Sequence, residues 1–318
     1  MARYLIGRAA AAALVLWAAF TVAFVLLRFL PGDAIGARIS PEEQGSISSD
    51  QLAALRERYG LGESMIVQYG QSLLDALRGD FGFSLATGAP VGEAIAEALP
   101  HTLALAGAAL LIAVVLGAGT ALGAVYTERP WLRQFLLGLP PVGVSVPTFW
   151  VGLLLIQTVS FQWGLLPAMG NKGFESLILP AATLALPTAA VIAQVLAKSL
   201  TETWEKAYVD TARAKGASRG RILLRHALRN AAMPTLTLAG VTAGNLLAGS
   251  VVVETVFSRI GIGRMTQLAV ASRDLPVLQG LVLLAAAVFV TVSLAVDLAH
   301  PLIDPRTARA GAQEGRTA

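Results

Sequence analysis

The chain has 318 residues, of which 55% are hydrophobic and only 14% charged, with mean hydropathy +0.65 and formal net charge +4. A soluble domain carries about 25% charged residues, so charges this few, gathered in blocks between long apolar tracts, point to an all-α integral membrane protein and away from one or two soluble domains. The absence of cysteine excludes disulfides, thiolate metal sites and cysteine nucleophiles, and the scatter of His101, His226 and His300 argues against a histidine-built metal site.

A spanning helix needs roughly 20 mostly apolar residues. Six tracts lack Asp, Glu, Lys and Arg: Ala9–Leu27, Thr102–Tyr126, Gln134–Asn171, Ser176–Ala197, Asn230–Val253 and Leu275–Val296. They predict six transmembrane helices over about 9–30, 102–126, 135–161, 177–198, 231–254 and 276–297, within one transmembrane domain covering 1–306 and ending in a flexible tail, 307–318. Arg3 and Arg8 would suit a signal peptide, but the 19 uncharged residues that follow exceed the usual h-region and favour a retained helix.

With the N-terminus and C-terminus cytoplasmic, 15 of the 24 basic residues fall on the cytoplasmic side, eight of them between Lys198 and Arg229. The loop Ser258–Asp274 is an exception, leaving Arg259, Arg264 and Arg273 outside. Small residues such as Gly240 and Gly244 suit close helix packing within the bundle. Pro140, Pro141, Pro147, Pro180 and Pro187 are expected to kink or break helices three and four.

Two segments lie outside the spans. The extracytoplasmic segment 31–100 predicts a helix capped by Ser49-Asp50, a second helix over Ile66–Leu77, turns at Gly79, Gly82 and Gly88, and a short amphipathic helix opened by Pro90 and bearing Val91, Ile95 and Leu99. A structural lid and a docking surface for an external partner fit this segment equally. The cytoplasmic loop 199–230 predicts two short helices around Gly216, the second capped by Ser218, with Ile222, Leu223 and Leu224 on one side and Arg221, Arg225 and Arg229 on another. A basic loop touching anionic lipid and an element inserting into a soluble partner are both compatible with that pattern.

The loop also resembles a family signature. Permeases of ABC-type importers carry Glu-Ala-Ala, three residues, then Gly, followed after nine residues by Ile-x-Leu-Pro. Here Asp210-Thr211-Ala212 occupies the first position, Gly216 has the matching spacing, and His226-Ala227-Leu228-Arg229 follows. Those departures resemble the dipeptide/oligopeptide/nickel subgroup, as do Arg78-Gly79-Asp80-Phe81-Gly82-x-Ser84, Val146-Pro147-Thr148-Phe149-Trp150, Leu165-Leu166-Pro167, Glu254-Thr255-Val256-Phe257 with Gly261-Ile262-Gly263, and Asp304-Pro305-Arg306. The long segment after span one resembles the "B"-type permease.

The resemblance implies a type I ABC importer permease fold and transport of di- or oligopeptides, with nickel or another small solute as the alternative. It implies a second homologous permease forming a heterodimer, cytoplasmic ATPase subunits carrying ATP and Mg, an extracytoplasmic solute-binding protein, and a cell inner-membrane location. It also implies that Gly216 makes a tight turn, that Asp210, Thr211, Ala212, Arg213 and Lys215 belong to a docking helix, and that Arg213, Lys215, Arg219 and Arg221 supply polar contacts to the ATPase. A local pairing of Asp210 with Arg213 is the alternative for those two residues.

No catalytic residue, metal site, nucleic-acid partner or cofactor of the chain's own is expected. No Gly-Lys dipeptide exists, so the chain has no P-loop. An ion-coupled secondary transporter would place ionisable groups inside the spans, where the polar candidates for the translocation path are only Gln157, Gln194, Thr242, Asn245 and Ser250. An intramembrane enzyme would need a nucleophile and base together, and neither Ser145 nor Ser160 has a His or Asp in its span.

Overall fold

The computed structural model describes residues 2–29 and 64–303. The helix expected after Ser49-Asp50, the Asp304-Pro305-Arg306 motif and the tail 307–318 lie outside the described residues. In chain order the helices are α1 (Ala2–Phe29), α2 (Met65–Leu77), α3 (Val91–Tyr126), α4 (Pro130–Ser145), α5 (Thr148–Leu155), α6 (Glu175–Trp204), α7 (Ala207–Ala214), α8 (Leu228–Thr237), α9 (Ala239–Val256), α10 (Ile262–Ala271) and α11 (Leu275–Ile303). Two π-helical stretches, Ile156–Gln162 and Ile222–Ala227, interrupt this pattern. The chain forms two compact units, Met1–Ala98 with Met265–Val288, and Leu99–Arg264 with Phe289–Ala318.

In the first unit, Tyr69 of α2 packs edge-on against Phe20 and Phe24 of α1, with ring centroids 5.7 and 5.4 Å away, and its hydroxyl meets Thr21 Oγ1 at 2.8 Å. After α2 the chain turns through Gly79, Gly82 and Gly88, all at positive φ. That stretch is anchored on Asp274, just before α11. Ser84 Oγ donates to Asp274 Oδ2 at 2.6 Å, the Leu85 N–H to Oδ1 at 3.0 Å and the Ala86 N–H to Oδ2 at 2.9 Å. Three donors satisfy a carboxylate that is only 1% exposed, which is what its burial requires.

Val91 and Ile95 form the buried stripe their spacing predicts, against Gly280 of α11. They do not belong to a separate short helix, however. They open α3, whose 36 residues run on through Pro100 into the second apolar tract. At 1.5 Å per residue α3 is about 54 Å long, well beyond a hydrocarbon core of about 30 Å, so its first turns extend past the membrane.

The second unit is organised around α6, which packs against α4, α5, α8 and α9. Its core joins Leu105, Ala109 and Ala113 of α3 to Leu184, Ala185, Ala189 and Ile192 of α6 and to Leu246 and Val253 of α9. Small residues set the spacing, because a Cβ on Gly117 of α3 would stand 2.7 Å from the Ala189 carbonyl oxygen. Gly244, by contrast, meets only an ordinary contact with Phe289.

Among the described residues four helices are long and apolar enough to cross a membrane, or five if a bent pair counts as one span, rather than the six expected. The third expected span is that bent pair, Pro130–Ser145 and Thr148–Gln162, turned by 100° at Val146-Pro147. Proline lacks the N–H needed to continue the ladder and keeps Val146 extended (ψ 127°). Pro180 and Pro187 leave α6 continuous, so they do not break it. The fifth expected span is divided at Leu238 into α8 and α9, and its apolar part, Gly244–Val256, is short.

Candidate functional site

The basic loop between α6 and α8 is built on α7. Val209 is fully buried and fixes the helix, leaving Asp210, Arg213 and Lys215 exposed. Arg213 Nη1 donates to Asp210 Oδ1 at 3.0 Å, an exposed i,i+3 pair of the kind that contributes little to stability. The helix ends in a Schellman motif. The Gly216 N–H donates to the Arg213 carbonyl at 3.0 Å and the Ala217 N–H to the Ala212 carbonyl at 3.1 Å, with Gly216 at φ +79°.

The second limb departs from the sequence pattern. Ser218 stands at an N-cap position with extended backbone, but its side chain makes no capping hydrogen bond. After the single turn Arg219–Arg221 the chain is π-helical, and the wider turn buries Ile222, Leu223 and Ala227 while Leu224 turns outward, 60% exposed. Leu224 therefore leaves the apolar side on which α-helical spacing had placed it. Arg221, Arg225 and Arg229 are exposed as expected.

Arg219 points inward, and this corrects its expected place among the loop's outward contacts. Nη1 pairs with Glu128 at 2.5 Å, Nη2 donates to the Val125 carbonyl at 3.1 Å, and the guanidinium lies 5.5 Å from the Trp204 ring centroid. It thus ties the loop to the end of α3 and the end of α6. Asn230 Nδ2 donates to the Tyr208 hydroxyl at 2.9 Å, fastening the second limb to α7. Glu128, just beyond the second apolar tract, was the one available sequence signal for the Arg219 contact.

A second polar centre lies at the C-terminal end of α9 and in the turn that follows it. Glu254 is 1% exposed. Thr102 Oγ1 donates to its Oε1 at 2.6 Å, the Arg264 N–H donates to its Oε2 at 3.0 Å, and the Ile262 N–H donates to Thr102 Oγ1 at 2.8 Å. Gly261 lies directly against the carboxylate, and a Cβ on Gly263 would stand 2.5 Å from the Val251 nitrogen, so both glycines of this motif are required by close approach.

Arg259, 4% exposed, donates through Nη1 to the Gly170 carbonyl at 2.9 Å and the Ser176 carbonyl at 2.7 Å. Burial pushes its guanidinium below the usual value, and the Glu254 carboxylate opposes that shift. Asn171 exchanges two hydrogen bonds with the backbone of Ile260, at 2.7 and 3.0 Å. This exception to the charge asymmetry is a structural clasp.

The five polar path candidates are spread over the π-helical stretch after α5 (Gln157), α6 (Gln194) and α9 (Thr242, Asn245, Ser250). Thr242 and Ser250 are buried, the latter donating to the Leu247 carbonyl at 2.7 Å. Gln157 and Asn245 are exposed. Gln194 lines a cavity of about 410 Å³ between α3, α4 and α6. Among the described residues no three His, Cys, Asp or Glu side chains are grouped to hold a metal ion.

Residues 113–309 match the family described as "Binding-protein-dependent transport system inner membrane component", and residues 1–106 match its N-terminal companion family. The chain is 36% identical over 291 residues to "Probable peptide ABC transporter permease protein y4tP" of Sinorhizobium fredii, covering 89% of this chain and 92% of that protein. It is 33% identical over 305 residues to "Glutathione transport system permease protein GsiC" of Escherichia coli, covering 96% and 98%. Its fold matches a chain of the inward-facing MetNI methionine ABC transporter with a TM-score of 0.56 at 18% identity, over 66% of this chain and 96% of that one. A type I importer permease fold, several apolar helices and two tandem family matches lead to one assignment: the chain belongs to the binding-protein-dependent transport system inner membrane component family, as a multi-pass membrane permease.

Proposed function

We propose that this permease carries di- or oligopeptides inward as half of a heterodimer with a second homologous permease, driven by cytoplasmic ATPase subunits and fed by an extracytoplasmic solute-binding protein. The observation that carries the coupling role is the Schellman-closed α7 with its exposed Asp210–Lys215 face, a rigid projection fastened to α3 and α6 through Arg219. The peptide cargo is supported by relatives named for peptide and glutathione transport. The N-terminus and C-terminus are assigned to the cytoplasm by the eight basic residues of 198–229. ATP and Mg belong to the partner subunits, since this chain lacks a P-loop lysine motif.

Affinity purification in mild detergent tests this reading. Recovery of a second permease and P-loop ATPases, with ATP turnover stimulated by peptide-loaded binding protein, is the expected result. A folded chain recovered without any ATPase would point instead to an ion-coupled transporter.

The loop geometry separates two roles. Arg219→Met keeps the stem over Trp204 but removes the pair with Glu128 and the bond to Val125. It is expected to lower peptide uptake severalfold while the ATPase still co-purifies. Arg213→Met and Arg221→Met, which alter the exposed face, are expected to weaken co-purification itself. Equal loss of ATPase in all three variants would contradict this division.

A further inference from the structure

The cavity between α3, α4 and α6 has a charged end and a mostly apolar inner wall into which Gln194 and Thr120 also project polar groups. Arg133 lies in the first turn of α4, and Lys198 and Glu202 lie in the last two turns of α6, so all three sit where the helices leave the membrane. From there the walls run inward past Leu136 and Leu137 to Pro140 and Ala193. Arg133 to Pro140 is seven residues, about 10 Å along α4, enough to pass from the headgroup zone into hydrocarbon. Among the described residues neither cation is paired with an acid and Glu202 is not paired with a cation, although Lys198 and Glu202 stand one turn apart on α6.

We propose that this cavity holds one glycerophospholipid of the phosphatidylethanolamine type. Its phosphate lies on Arg133 and Lys198, its ammonium on Glu202, and the start of one acyl chain along Leu136, Leu137 and Ala193. Two cations at the membrane boundary attract a phosphate. The carboxylate beside them favours a headgroup that also carries a positive charge over one that carries only a negative charge. A free anion would leave the apolar walls uncovered. The site rests on the membrane-spanning reading of the chain and not on which solute is carried.

The test is native mass spectrometry of the purified complex containing this chain. The complex is stripped of lipid and then titrated with phosphatidylethanolamine, phosphatidylglycerol, inorganic phosphate or a tripeptide. The expected result is a tightly held phosphatidylethanolamine that Arg133→Gln with Lys198→Gln weakens severalfold. Glu202→Gln should remove the preference over phosphatidylglycerol. All three positions are exposed near helix ends, and an unchanged melting temperature certifies the folded state. Undiminished lipid binding by the double variant overturns the site. So does displacement of the lipid by inorganic phosphate or by the tripeptide, which would assign the cavity to a free anion or to cargo. Loss of the peptide-transport reading alone would leave the lipid titration unchanged.

Discussion

Glu254→Ala is expected to lower the melting temperature of the detergent-purified permease by roughly 10 °C, taking about 3–5 kcal/mol for leaving buried partners uncompensated and about 2–4 °C per kcal/mol. The carboxylate accepts from Thr102 and from the Arg264 N–H, and it is the counter-charge that Arg259 senses in its buried setting. Removing it leaves a hydroxyl and an amide without acceptors and opens a void beneath Gly261. Glu254→Gln should fall between parent and alanine variant. Its amide oxygen can accept from one donor, while its NH2 faces the other. Thermal unfolding followed by size-exclusion chromatography reads the effect, and an alanine variant melting with the parent would show that the carboxylate does not hold the α9–α10 turn together.

The second large effect is functional. Gly216→Val should abolish peptide uptake while leaving the protein inserted and the buried core unaffected. At φ +79° a β-branched residue is strained by about 1–3 kcal/mol, and nothing lies within 4 Å of the position a Cβ would take, so the cost is conformational and not steric. The chain relieves it by abandoning the left-handed turn, and the bonds from Gly216 and Ala217 to the last turn of α7 go with it. Gly216→Asn is the control, because asparagine tolerates that region and should keep most uptake. Full transport by the valine variant, or equal loss in both, would remove the turn from the coupling mechanism.

Much of this was legible in the residues. The blocks of charge between apolar tracts gave a membrane protein, and the Asp210 to Gly216 spacing located a helix closed by glycine. Pro147 marked a break, although its consequence, a 100° turn, depends on neighbours that no local pattern encodes. Pro180 gave the same signal within a helix so enclosed that α6 persists through it.

What stayed hidden was long-range. Ser84 and Asp274 are 190 positions apart, Thr102 and Glu254 are 152 apart, and Arg219 finds Glu128 across 91 residues. Ser84, Glu254 and Arg219 stood in recognisable motifs, while Asp274, Thr102 and Glu128 stood in none, and a motif says that a residue is used and not which partner uses it. Leu224 was misplaced for a local reason, because a π turn shifts the register that α-helical counting assumes.

The Arg259 clasp has a consequence for how the protein is made. A cation that ends up on carbonyl oxygens beside a buried carboxylate has much of its field compensated in the finished fold, yet on the nascent chain it is an exposed charge that, in the proposed orientation, favours the opposite side. Chain order resolves that conflict. In the proposed cytoplasmic orientation, the eight cations of 198–229 lie 30 to 61 residues ahead of Arg259 in the chain, so they leave the ribosome before it and outnumber it as orienting charges. Its later contacts with Gly170 and Ser176 then sequester the dissenting charge.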